Sequence, residues 1–76
     1  MGKPFVKATT LDDFDYQVIL MFAENNMRMI ETSYCLDVHR NTIEYRICKI
    51  KRLTGLDPRN FYDLIKLVEI ARKEIQ

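Results

Sequence analysis

The stretch VHRNTIEYRICKIKRLTG, Val38 to Gly55, sets five bases (Arg40, Arg46, Lys49, Lys51 and Arg52) against one acid, Glu44, among three isoleucines. The chemistry it suggests is non-covalent. Cationic side chains neutralise phosphates, and an arginine or asparagine can pair bidentately with the edge of a guanine or adenine. Arg40 and Asn41 are candidates for base edges, while Thr42, Tyr45, Arg46 and Lys49 suit phosphate. Catalysis has no comparable support. His39 is the only histidine, and no nucleophile with a base, glycine-rich phosphate loop or carboxylate pair beside a pocket is evident. Cys35 and Cys48 lack C-x-x-C spacing, and with one histidine they cannot complete the four ligands of a structural zinc. The reading is a binding protein without catalytic role, metal or cofactor. Both cysteines read as small apolar side chains, although Cys48 is placed for thiol control of binding.

The element carrying these residues must be a helix. Ile43, Ile47 and Ile50 recur at i, i+4 and i+7, the spacing of one buried stripe. At about 100° per residue the opposite side then shows Asn41, Glu44, Tyr45, Cys48, Lys49 and Arg52, with Arg40 in the first turn. This third helix is expected from His39 to Leu53. Gly55 is placed to close it, and Leu56 to make the apolar contact of a Schellman turn. A short second helix, Met29 to Leu36, would turn Met29, Ser33 and Leu36 inward. Asp37 after it suits a tight turn, because Asp adopts positive φ at lower cost than most residues.

The first helix is expected from Thr10, with Asp13 as capping-box acid and Asp12 adding charge in the first turn. Its inward face would be Leu11, Phe14, Val18 and Phe22, widened by Ile19 and Met21. The run Glu24 to Asn26 would end it, Asn tolerating left-handed backbone. Asp57-Pro58 reads as an N-cap and first residue of a last helix reaching Lys73, with Phe61, Leu64, Ile65, Val68 and Ala71 inward. Leu67 and Ile70 project off that stripe, offering themselves to the first helix or to a homodimer partner.

The fold class is therefore all-α, a small four-helix domain containing a helix-turn-helix over residues 10–76. Residues 1–9 are expected to be a flexible tail. Seventy-six residues allow one domain, burying only about 60–65 % of its unfolded surface, which leaves little room for a catalytic cleft. With 47 % hydrophobic and 30 % charged residues the composition is that of a soluble globular chain. No apolar run approaches a membrane span or an export signal, which points to the cytoplasm. The net charge of +1 hides segregation: residues 8–38 carry −5 and residues 39–52 carry +4. Such a field steers anionic partners even when the total is near zero.

A helix-turn-helix needs this arrangement: a short helix, a tight turn, then a helix whose first residues can bond to bases. Here His39, Arg40, Asn41 and Thr42 hold those places. The run T-S-x-x-L-x-V-H-R-N-T-I-x-Y-R-I-x-x-I-x-x-L-T-G-L, Thr32 to Leu56, resembles the C-terminal helix-turn-helix domain of PucR-type bacterial transcription regulators. A weaker likeness extends over roughly Leu11 to Arg72, and there is a distant one to the DNA-binding end of Fis. The resemblance implies sequence-specific binding to double-stranded DNA on paired half-sites, usually beside a larger sensory region. It also implies that His39, Arg40, Asn41 and Thr42 face DNA, with Tyr45 and Arg46 behind them. The chain departs from the pattern at Glu44, where a base is frequent, and at Arg28 and Ile30, which could alter how the second helix starts. It holds this module alone, as an excised fragment or a small free-standing protein would. The alternative is a protein-interaction module that kept the fold without DNA binding, for which Glu44, the near-neutral charge and the acidic first helix speak.

Overall fold

The structure is a computed structural model describing residues 11–75. The expected tail, 1–9, and the expected start at Thr10 lie outside the described residues. Four helices follow in order, α1 (Asp13–Glu24), α2 (Met29–Leu36), α3 (Arg40–Thr54) and α4 (Phe61–Ile75), with no strand among the described residues.

The N-terminal cap of α1 sits two residues beyond its expected place. Asp12 is the N-cap and Asp15 the box acid: Asp15 N–H donates to Asp12 Oδ1 at 2.8 Å, and Asp12 N–H to Asp15 Oδ2 at 3.1 Å. Two orphan amides at the helix end are satisfied reciprocally. α1 packs against each of the other helices. That position explains why Asp15, Tyr16 and Ile19 are buried beside Leu11, Val18 and Phe22, a wider face than one stripe provides. Phe14 and Met21 are only half-buried.

Left-handed residues mark the turns. Asn26 (φ 56) and Met27 (φ 65) follow α1, with Asn26 N–H bonding Ala23 O and Met27 N–H bonding Phe22 O. This is a Schellman pattern with Asn26 at its left-handed position. Asp37 (φ 57) ends α2 likewise, Asp37 N–H reaching Tyr34 O and Val38 N–H reaching Ser33 O. Gly55 (φ 78) ends α3 by a single bond from its N–H to Lys51 O. The expected Schellman bond is absent there for a local reason. Thr54 Oγ1 donates to Ile50 O at 2.7 Å and accepts the Leu56 N–H at 3.0 Å, occupying the amide that would have closed it.

α2 starts where expected, at Met29, with Arg28 as an N-cap that offers no side-chain bond. The Arg28 carbonyl instead takes both the N–H and the hydroxyl of Thr32. Ser33 is buried, its hydroxyl donating back to Ile30 O at 2.7 Å.

α4 differs most from expectation. Asp57 does accept from Arg59 N–H at 2.9 Å, but this forms a single turn. Asn60 then caps the helix proper through Asp63 N–H at 3.1 Å. The face packed on α1 is Leu64, Leu67 and Ala71, while Phe61 and Ile65 lie outside. Leu67, at 0 % exposure, belongs to the core and cannot be a dimer contact. Ile70 is half-buried against the same cluster.

Candidate nucleic-acid interface

The expected DNA-facing residues divide into two groups. Ile43, Ile47 and Ile50 are buried, and this fixes the rotation of α3. His39, Arg40, Asn41, Tyr45 and Arg52 consequently stand exposed, along with Glu44 and Cys48. Asn41, Tyr45, Cys48 and Arg52 form a row at i, i+4, i+7 and i+11, one outward face of a helix. Thr42 is half-buried at its edge.

His39 has a role that its type did not announce. It is the N-cap of α3, its Nδ1 accepting the Asn41 N–H at 2.9 Å. An accepting Nδ1 puts the neutral ring's proton on Nε2, which becomes an outward donor. Beside it Arg40 borders a shallow hollow with Met29, Ile30, Glu31 and Glu44. A second hollow, bordered by Tyr34, Val38, His39 and Arg40, lies over the turn between α2 and α3.

Arg46 and Lys49 form the second group and face α1. Arg46 Nη1 lies 3.0 Å from Asp12 Oδ2 and 3.0 Å from Asp15 Oδ1. Lys49 Nζ lies 2.7 Å from Asp15 Oδ2. Asp15 is fully buried, and the two cations retain only 24 % and 18 % side-chain exposure. Arg46 also stacks over the Phe14 ring, 4.8 Å from its centroid. These bonds tie the middle of the basic helix to the acidic start of α1, so about half of its charge is engaged inside the molecule. Helical periodicity could not show this, because the partners lie more than thirty positions away. Segregated charge was the one available signal.

Sequence reading also missed Arg59. Its guanidinium meets the Glu44 carboxylate at 3.6 Å. The turn before α4 thereby returns a cation to the outer face of α3 and offsets the acid there. Tyr34 and Lys51, both exposed, are the other additions, Lys51 Nζ lying 3.8 Å from Asp57 Oδ2. Among the described residues no three His, Cys, Asp or Glu side chains gather where they could hold a metal.

The acidic end of α1 titrates unusually. The Asp12 carboxyl is lowered from 3.8 to about 2, chiefly by the Asp15 N–H bond. Desolvation opposes this shift, and the hydrogen bond and charge of Arg46 reinforce it. A depressed carboxyl stabilises the fold above its unfolded value and loses that contribution as pH falls through the folded one. Urea midpoints should therefore decline between about pH 4 and pH 2 more in the wild type than in Asp12→Asn, which keeps a capping oxygen. With Asp12 56 % exposed, the difference should be only about 1 kcal/mol after solvent screening. Parallel acid profiles for the two proteins would show that Asp12 carries no such coupling.

A short helix, a left-handed Asp37 turn and a following helix with an exposed polar face define a helix-turn-helix domain, one module among the described residues. Residues 16–69 match the family described as the PucR C-terminal helix-turn-helix domain, and the chain belongs to that family. It is a DNA-binding domain of the transcription-regulator class. It is similar to the carbohydrate diacid regulator of Escherichia coli (strain K12), at 35 % identity over 69 residues, covering 88 % of this chain and 18 % of that protein. The transcriptional activator PmfR of Paenarthrobacter nicotinovorans is 38 % identical over 48 residues, covering 63 % of this chain and 10 % of that protein. The chain thus spans less than a fifth of either relative. No solved structure matches it.

Proposed function

We propose that this domain reads double-stranded DNA by laying the first turns of α3 in the major groove. The reading works in the cytoplasm, in bacterial transcription control, and involves no catalytic step. The observation that carries it is the exposed row His39, Arg40, Asn41, Tyr45 and Arg52 on a helix fixed from behind by the buried isoleucines. Arg40 and Asn41 supply bidentate contacts to base edges. Arg52, Lys51, Arg59, Tyr34, Tyr45 and the His39 Nε2–H are placed for phosphate, which sets register without reading sequence. Arg46 and Lys49 contribute mainly by holding α3 at its angle on α1. Glu44, 3.6 Å from Arg59, tempers the field and is suited to accept from cytosine N4.

Titration against a random-sequence duplex pool at several salt concentrations tests this, with anisotropy as readout and bound sequences recovered. With three cations, Arg52, Lys51 and Arg59, on phosphate, the slope of log K against log salt should be roughly −2.7. An enriched motif should emerge from the bound fraction. Absence of binding at low salt by folded protein would overturn the reading and leave the interaction-module alternative.

A further inference from the structure

α4 carries two apolar seams, and α1 covers only one. Leu64, Leu67 and Ala71 are buried against α1. Phe61, Ile65, Val68 and Arg72 recur at i, i+4, i+7 and i+11, the spacing of a second helix-packing seam. Phe61 is 59 % exposed and Ile65 44 %. With Ala23 of α1 and Met27 of the turn after it they line an apolar groove of about 420 Å³, bordered by Glu69 and Arg72. Met27 is held there at φ 65, a conformation a methionine adopts only at a cost and one that concentrates at functional positions. α4 packs chiefly on α1, and no residue of α3 lines the groove.

We propose that this groove is the contact between two copies of the chain, made by antiparallel α4 helices about a two-fold axis between Ile65 and Val68. The seam complements itself in that arrangement. Ile65 meets Val68 of the second copy, Phe61 meets Arg72, and Tyr62 meets Glu69, each contact occurring twice as an isologous interface requires. Arginine over phenylalanine is a cation–π pair, and the tyrosine hydroxyl can donate to the glutamate carboxylate. A parallel pairing would instead oppose Arg72 to Arg72 on the seam. The exposed Phe61–Tyr62 pair, edge to face with centroids 5.5 Å apart, gives each copy a rigid aromatic edge for the other's groove. Both α3 helices remain free, so the proposal goes beyond the DNA reading and survives its failure.

Sedimentation velocity of the full chain over a wide concentration series tests it, beside Ile65→Glu and Arg72→Glu. The wild type should move toward twice the monomer mass. Ile65→Glu sets two carboxylates in an apolar seam and should weaken association at least about tenfold. Arg72→Glu, a wholly surface change, should weaken it about fivefold or more, with helical circular dichroism unchanged in both. A wild type that stays monomeric at every concentration overturns the proposal, as does a dimer indifferent to both substitutions. A monomer that dimerises only once residues 1–10 are deleted also overturns it, assigning the groove to that segment.

Discussion

Asp15→Ala is expected to cost the domain about 3 kcal/mol, the lower end of what breaking a buried ion pair costs. Asp15 is fully buried and accepts from Lys49 at 2.7 Å, Arg46 at 3.0 Å and the Asp12 N–H at 3.1 Å. Truncation takes from two cations their buried partner, leaving them the exposed Asp12, 3.0 Å from Arg46 and 3.8 Å from Lys49, and removes half of the capping box. Lys49 and Arg46 keep some solvent access, which lets them relax outward and limits the loss. In a chain this short, that loss corresponds to a fall in Tm of about 12–24 °C. Urea unfolding should show a lower midpoint with an unchanged slope. Asp15→Asn, which retains acceptor oxygen and shape, should fall between. Asp15→Leu combined with Lys49→Met should recover much of the stability, because replacing a buried pair by apolar groups is often neutral. A loss below about 1 kcal/mol for Asp15→Ala would show that the carboxylate does not hold α3 to α1.

The functional consequence concerns geometry more than stability. Base contacts demand that the recognition helix keep its angle, and α3 is held from behind by isoleucines and from the side by these bonds. Arg46 and Lys49 serve that second hold, which explains why a strongly basic helix presents fewer free cations than its composition suggests.

What was legible in the chain was local. The α2–α3 turn could be read because Asp37 follows an apolar run and precedes a polar helix start, and α3 could be read because three isoleucines and Gly55 bound it. Capping was legible in kind but not in place. Several acids near Thr10 can each form a box, and the choice of Asp12 with Asp15 follows from the tertiary bonds that Asp15 makes to α3. The packed face of α4 was legible in part: Leu64 and Ala71 are buried as expected and Leu67 takes its core alternative, while Phe61 and Ile65 are exposed. Its sequence holds two apolar seams, and no local pattern tells which one meets α1. Arg59 escaped for a related reason: nothing in the run Asp57 to Asn60 shows that its turn ends beside Glu44. Long-range pairing leaves no period in a sequence, so the site was half visible at the level of single residues.

Arg40→Ala should weaken binding to the cognate site by about 1–3 kcal/mol, or roughly five- to 150-fold, while leaving the fold intact. Arg40 is the first residue of α3, exposed next to the His39 cap. It enters none of the ion pairs formed among the described residues, in contrast to Arg46 and Arg59. A free guanidinium at the N-terminal turn of a recognition helix can reach both guanine O6 and N7. A surface change that alters neither the capping bond of His39 nor a buried pair should move stability by less than about 0.5 kcal/mol. The discriminating readout is the ratio of losses on cognate and random duplexes. A base contact disappears only from the cognate complex, so affinity for random DNA should fall much less and the recovered motif should relax at one position. Arg52→Ala is the comparison: a phosphate contact lowers both affinities alike and reduces the salt slope by about 0.9. Equal losses on the two duplexes for Arg40→Ala would make it a phosphate contact as well. Base reading would then fall to Asn41, whose alanine variant should show the selective loss in its place.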